Sequence, residues 1–443
     1  MNAPPTPARI RQTLASRPGD ARAMYAWAGT RIGDRPTEAL AWSRRAVMAE
    51  PLAVPPRTRT AQALLRLGRC HEGARASRRG LLIDPSDWSS WINLGVFQKR
   101  FGQTASALQS CARAGMTGAL DRTATMNAAM NAAVLRLRAG EFETGWRMYR
   151  ARHQSLGADP AAIWPELPEW DGRSRPRRLR VLTEQGIGDT VMFLTVLHEL
   201  QARVGAITLL VNARLEQTLR RSFPGVDVVA PDDGGALPPL PDADAWVCAG
   251  DLPAALGLFS GGAAEPRPYL KPDQARTRRL RESLTRRHPG RRLIGITWTS
   301  RAEDGWRRTV PPALWFPIAD VPDVALISLQ YGAAAADLAA FGERLDADHG
   351  VEPLQDLDGL AALVAAMDAV VSPTNNTVHF AGALGVPSHV MLPVDPDWRW
   401  SEDGVASRWY DTARLYRQRR DGDWRPVIEG VARDLGRAES GFR

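Results

Sequence analysis

Two patterns of small, apolar and polar positions divide this chain. Up to about Arg152 the small and apolar residues recur at helical spacing, and the recurrence itself repeats: Pro51 and Pro85 lie about 34 residues apart, as do Gly68 and Gly102. The clearest unit runs Trp91-Ile-Asn-Leu94-Gly95, then Gly102, Ala107 and Ala114. It supplies a large residue, a small contact residue, a turn glycine and two further small residues. A preceding unit runs from Arg57 through Gly68 and Ala74 to Pro85, and an earlier one from Ala21 through Ala39 and Ala46 to Pro51. A fourth, with Gly140 at its turn and Trp146 and Tyr149 behind it, is shifted by a few residues. Single helix pairs of this kind cannot bury their apolar faces, so the pattern predicts a stack with a concave surface open to a partner's segment. The plainer alternative is a helical domain that only packs on the rest of the chain.

Beyond Arg152 the periodicity changes. Pro160, Pro165, Pro168 and Pro176, with Gly172, mark an irregular connector. Short apolar runs then alternate with helical stretches. Strands are expected at 179–183, 207–211, 226–230 and 245–248, with helices at 190–202 and 215–222. A second series places strands at 293–298, 324–329, 369–372 and 389–392, with helices at 357–367 and 376–384. Alternation of this type predicts parallel sheets with crossover helices. Two such series joined near 272–289 predict two Rossmann-like lobes facing a cleft, with ligand at the C-terminal ends of the strands. The expected boundaries are 1–155 for the repeats, 156–178 for the connector, 179–289 for the first lobe and 290–443 for the second.

Composition narrows the function classes. The 443 residues are 44% apolar and 24% charged, ordinary values for a globular chain. No run approaches a membrane span and the start, Met1-Asn2-Ala3-Pro4-Pro5, has no apolar signal core, so the expected compartment is the cytoplasm. Cys70, Cys111 and Cys248 are scattered and form no Cys-x-x-Cys, which supports neither a disulfide framework nor a zinc site. The net charge of +8 is carried almost wholly by arginine, lysine occurring only as Lys99 and Lys271. The basic residues are dispersed and accompany no nucleic-acid motif, so no nucleic-acid partner is expected.

Two strand-to-helix junctions carry candidate chemistry. The first is Gln185-Gly186-Ile187-Gly188-Asp189, where Gly186 and Gly188 permit a tight turn close to a ligand and Asp189 stands at the cleft mouth. Asp189 is equally placed to cap the helix that follows. The second junction, Ser372-Pro373-Thr374-Asn375-Asn376-Thr377-Val378-His379, opens a helix. Backbone amides at a helix start bind phosphate with help from the helix dipole, although the same polar residues also serve as caps. His379, one turn in, is placed either to donate to a phosphate oxygen or to sit satisfied in the core. No His/Cys cluster suggests a metal, so none is expected, and no cofactor.

The segment Glu184-Gln-Gly-Ile-Gly-Asp-Thr190 and the stretch from Val370 to Pro387 resemble bacterial tetratricopeptide-repeat glycosyltransferases. These are related to the heptosyltransferases of glycosyltransferase family nine and, more distantly, to protein O-GlcNAc transferases. Further matching stretches are Trp164 to Gly172, Arg307-Arg-Thr-Val-Pro311, Asp397-Trp-Arg-Trp400, Ser407-Arg-Trp-Tyr410, Tyr416-Arg-Gln418 and Gly422-Asp-Trp424. The resemblance spans nearly the whole chain in order. It implies tetratricopeptide repeats followed by a GT-B fold, and an inverting, metal-independent transfer from a nucleotide-sugar to an acceptor hydroxyl. It also implies Asp189 as general base and Arg308 at the donor phosphates. Thr374, Asn375, Asn376, Thr377 and His379 would form the phosphate loop and helix. Many relatives have Asp-Thr where this chain has Thr374-Asn375; the asparagine form resembles members associated with flagellin glycosylation, which makes flagellin the first acceptor candidate, bound through the repeats. Two alternatives are a lipopolysaccharide-type glycan transferase and a degenerate enzyme kept as a repeat-based adaptor or chaperone.

Overall fold

The structure is a computed structural model that describes residues 6–155, 160–232, 234–258, 267–300 and 305–437. The chain divides into two units, residues 1–155 and 156–443. Among the described residues no helix is long and apolar enough to cross a membrane.

The first unit is all helical. A leading helix α1 (Pro7–Ser16) is followed by four antiparallel pairs: α2 (Ala21–Arg31) with α3 (Pro36–Ala49), α4 (Val54–Arg66) with α5 (Cys70–Ile83), α6 (Trp88–Arg100) with α7 (Thr104–Thr117), and α8 (Arg122–Ala139) with α9 (Phe142–Tyr149). Three of the four first helices begin behind aspartate caps, Asp20, Asp87 and Asp121 accepting from the amides of Ala23, Ser90 and Ala124. In the last three pairs the chain reverses through a left-handed residue, φ +70° at Gly68, +71° at Gly102 and +84° at Gly140, a conformation that costs other residues free energy. The recurring small residues are what the helices pack on. A Cβ on Gly73 would stand 2.1 Å from Cζ of Phe97, and Ala39, Ala46, Ala74, Ala107 and Ala114 are all buried.

The second unit holds two parallel sheets. The first contains β1 (Arg178–Leu182), β2 (Ala206–Leu210), β3 (Asp227–Val229) and β4 (Ala245–Cys248) in the order β3-β2-β1-β4. The second contains β5 (Arg292–Ile296), β6 (Val324–Ser328), β7 (Leu345–Asp346), β8 (Ala369–Pro373), β9 (Ser388–Leu392) and β10 (Ala413–Arg417) in the order β10-β9-β8-β5-β6-β7. Counted from its own first strand, the second sheet has the dinucleotide-fold order 3-2-1-4-5-6, and the first has its leading four members. The core of the second lobe is built on one face of its sheet from Ile294, Ile296, Leu326, Val371 and Met391, with Trp298, Trp315 and the last helix, Arg425–Gly436.

Several details depart from the sequence reading. The helix expected over 190–202 starts earlier, as α10 (Ile187–Phe193), then passes through a 3-10 turn at Leu194–Val196 and resumes at Leu197–Gln201. The join near 272–289 is itself a helix, Gln274–Arg287, so rich in arginine that Leu284 is its one buried residue. The connector is not loose where it is described: Trp170 donates its amide to the carbonyl of Trp246 at 2.7 Å, and the amide of Trp246 reaches the carbonyl of Pro168 at 3.1 Å. It thus runs beside β4. Residues 156–159, where that connector was expected to begin, lie outside the described residues.

Charged contacts tie the two lobes, and the best satisfied of those described centres on Asp358. Asp358, at the start of the helix Leu357–Ala365, takes both Nη groups of Arg221 at 2.7 to 3.0 Å and the hydroxyl of Thr218 at 2.6 Å. Arg221 ends the helix Glu216–Ser222 of the first lobe, so the cation lies at a helix C-terminus and the anion at a helix N-terminus.

Candidate active site

In a parallel sheet of this order the crevice opens where neighbouring strands send their connections to opposite faces. In the second lobe that point lies between β5 and β8. Asn375 spans it: its side-chain amide donates to Oγ1 of Thr297 at 2.8 Å and to the carbonyl of Thr299 at 3.2 Å. Its Oδ1 meanwhile accepts from the amide of Thr377 at 3.0 Å, capping the helix Asn376–Leu384. Asn375 therefore positions the helix start and is fully occupied in doing so. In the first lobe the equivalent point lies between β1 and β4. There the buried Glu184 accepts from the amide of Gly250 at 3.1 Å and pins the loop after β1.

These two crossings face each other across a cleft of about 500 Å³. Gly186, Gly188 and Asp189 form one wall, with Arg214 beside them. Arg308, Thr374, Asn375, Asn376 and His379 form the other, and Asp397, Arg399 and Trp400 close one end. Tyr331, Pro353, Leu354, Leu357 and Leu360 give the cleft an apolar flank.

Eight of the expected residues meet here, and two do not. Gln185 is exposed and does not line the cleft; it takes the left-handed turn itself, at φ +70°. The tight turn was expected of the glycines, but Gly186 is extended at φ −94°. Gly188 is needed for a different reason: a Cβ there would lie 2.8 Å from Cδ2 of His379 and 2.9 Å from Oδ1 of Asn376. The opposing helix starts thus approach through a missing side chain. Thr377 is fully buried, its hydroxyl does not line the cleft, and its amide is already bonded to Asn375.

Asp189 is both a helix-start residue and a cleft residue. Its Oδ2 accepts from the amide of Gly186 at 3.1 Å, closing the first turn of α10. Its Oδ1 is ion-paired with Arg399, which also holds Asp397. In the sequence Arg399 stands only as the third residue of the motif Asp397-Trp-Arg-Trp400. Its placement comes from aromatic packing: Trp398 stacks on Phe193 of α10, and Trp400 lies buried 5.5 Å from the ring of His379. Nothing local in the sequence announces a contact made by that folding-back of the tail.

Adjacent arginines divide the labour on the opposite side. Arg307 is buried and paired with Asp395 at 3.5 Å and Asp421 at 3.7 Å. Arg308 lines the cleft and donates to the carbonyl of Thr374 at 3.3 Å, which holds its guanidinium over the loop that leads into the helix Asn376–Leu384.

His379 is buried, and desolvation pushes its pKa down to about 4 against the opposing pull of Asp189. The ring is neutral at physiological pH. Its Nδ1 lies 2.9 Å from the hydroxyl of Tyr410, a buried phenol whose own pKa burial raises well above the ordinary value. A buried hydroxyl needs an acceptor, so it donates to Nδ1 and leaves the ring proton on Nε2. The ring is then a neutral donor beside Gly188 and Asn376. With the helix start, Arg214, Arg308 and Arg399, the cleft can hold an anion such as a phosphate and set a carboxylate opposite it.

No family model matches this chain. It is 29% identical over 378 residues to Protein FlbA of Caulobacter vibrioides, a match that covers 80% of this chain and 62% of that protein. The chain thus spans under two thirds of the length of that relative. Among solved structures it is similar to an Escherichia coli ADP-heptose lipopolysaccharide heptosyltransferase II, with a TM-score of 0.39 and 16% identity over 59% of this chain and 100% of the other. It is also similar to a Thermobaculum terrenum O-GlcNAc transferase mutant, with a TM-score of 0.34 and 15% identity over 99% of this chain and 92% of the other. The strand orders, rather than these likenesses, carry the fold.

Proposed function

We propose that the chain is an inverting glycosyltransferase of the GT-B type that moves a sugar from a nucleotide-sugar to a protein hydroxyl without a metal. The observation that carries this reading is the placement of Asp189 and of the Arg308–His379 wall on opposite sides of one cleft, at the switch points of two parallel sheets. The acceptor hydroxyl approaches Asp189, which takes its proton as the oxygen attacks the anomeric carbon. The bond from that carbon to the nucleotide's phosphate oxygen breaks on the opposite side, and the electron pair leaves with the phosphate. Arg308, the amides of the helix start and Nε2 of His379 stabilise the charge that develops there, work a metal ion does in other designs. The apolar flank of Tyr331, Leu354 and Leu357 suits a nucleobase.

Flagellin is the first acceptor to try, selected through the helical repeats, and CMP-linked nonulosonic acids are the first donors. The test is a calorimetric panel of CMP-, UDP-, GDP- and ADP-sugars on the intact chain, followed by mass spectrometry of the acceptor, with and without excess chelator. One nucleotide class should bind, and acceptor serines or threonines should gain the sugar mass in chelator as well. Failure of every nucleotide to bind at millimolar concentration would sink the reading, and strict dependence on added Mg²⁺ or Mn²⁺ would sink its metal-free form.

A further inference from the structure

The repeat unit carries a second built groove, remote in sequence from the cleft residues. It has a volume of about 440 Å³ and lies between α3 and α5 with α4 as its floor. Val47, Met48, Leu64 and Ala76 give it apolar walls, and Arg44, Arg57, Arg75 and Arg79 ring it. Its single acid, Glu72, is already engaged by Arg44 at 3.1 Å and by Arg69 at 2.6 Å. Among the described residues neither Arg79 nor Arg113 makes an ion pair.

The groove is one part of a longer ladder. Met48, Leu82 and Met116 occupy the same place near the ends of α3, α5 and α7, and they are 80%, 83% and 70% exposed. Arg45, Arg79 and Arg113 stand one helical turn before them, also exposed, so each second helix shows an arginine and a large apolar residue on one face. Large apolar side chains left in water at equivalent sites of three consecutive repeats are a surface arranged to be covered, not scattered exposure. The arginines beside them fix the sign of what covers it.

We propose that this second-helix face binds a helical segment of a partner protein that carries an apolar ridge flanked by carboxylates. The ridge lies along Met48, Leu82 and Met116 and sends a side chain into the groove, while the carboxylates meet Arg75, Arg79 and Arg113. The 440 Å³ recess favours a peptide, since a flat lipid surface cannot fill it. This surface is independent of the transfer chemistry proposed above and lies among the second helices of the stack.

The test uses the intact chain and two labelled helical peptides of equal length, one with glutamates flanking a leucine ridge and one with lysines there. A third arm uses phosphatidylglycerol vesicles. The glutamate peptide should bind in fluorescence anisotropy and weaken with added salt. Arg75→Glu with Arg79→Glu should weaken it about tenfold or more, and Met48→Ser with Leu82→Ser should weaken it without removing the salt dependence. All four side chains are exposed, so circular dichroism should be unchanged and nucleotide binding by the same variants retained. Equal binding of the lysine peptide, indifference to the arginine reversal, or binding of vesicles in place of the glutamate peptide would each overturn the proposal.

Discussion

Asp189 and Arg399, 210 residues apart in the chain, form an ion pair that joins the first lobe to the folded-back tail of the second. The carboxylate is thereby held at a fixed angle by two donors, Arg399 and the amide of Gly186, with lone pairs left for an incoming hydroxyl. Asp189→Ala should lower transfer by about 10²–10⁴-fold, the range for a lost general base, while nucleotide affinity stays near normal. Arg399→Lys should fall between wild type and Asp189→Ala, because a lysine keeps the charge and loses the fork geometry. Near-normal turnover of Asp189→Ala would remove it as the base.

The two neighbouring arginines should separate cleanly. Arg308→Ala should weaken nucleotide binding by about 1.5–3 kcal/mol, as expected for one charged hydrogen bond, with little change in melting temperature. Arg307→Ala should do the reverse, since it removes the buried cation that faces the buried Asp395. Calorimetry and thermal melts on both variants decide the assignment, and equal effects from the two would contradict it.

Gly188→Ala is expected to be disproportionately harmful for one added carbon. The new methyl would meet His379 and Asn376 inside normal contact distance, so the helix starts must part and the anion-holding groups move with them. The expected outcome is a folded protein with weakened nucleotide binding and slower transfer. Wild-type affinity in that variant would show that the close approach has no functional role.

Burial of His379 and His389 sets a direction for stability against pH. Both are held near a pKa of about 4 by desolvation, against 6.5 for an ordinary histidine. As pH falls below about 6.5 the unfolded chain takes up protons that the folded chain refuses, so stability is full above that pH and declines towards pH 4. His389 is linked through the hydroxyl of Tyr416 to Asp434, at 2.8 Å in each step, and lies outside the cleft. His389→Asn should therefore flatten the loss of denaturant midpoint between pH 7 and pH 5, without changing nucleotide affinity. An unchanged slope would show that His389 is not the group responsible.

The sequence was most informative where burial dictates residue type. Parallel strands covered on both faces must be continuous apolar runs, so β6, β8 and β9 were readable within a residue or two. Repeat boundaries were readable because the turn glycines and the small packing residues leave a period. The strand β10 and the last helix were not anticipated, since Ala413–Arg417 mixes buried and exposed positions and carries two arginines. Of the site, the residues at strand ends were legible because topology sends ligands there. Arg399 was not, because its position depends on Trp398 packing against Phe193, a tertiary event with no local period. The resemblance includes Thr377 in the phosphate-binding stretch as a whole, yet a helix turns successive side chains about 100° apart, and its own points inward.

The bidentate contact of Arg221 with Asp358 has a bearing on how molecules enter and leave. Parting the lobes as rigid bodies would break a three-donor latch in which Asp358 is only 14% exposed, and would leave that carboxylate without its cation. At rest the cleft is then a mouth held ajar rather than a jaw that swings. Traffic would run along the floor of the cleft, leaving turnover to be paced by the breathing of its rim. Hydrogen exchange should accordingly be slow in the helices Glu216–Ser222 and Leu357–Ala365 whether nucleotide is bound or not, and Asp358→Ala should be the change that lets them loosen.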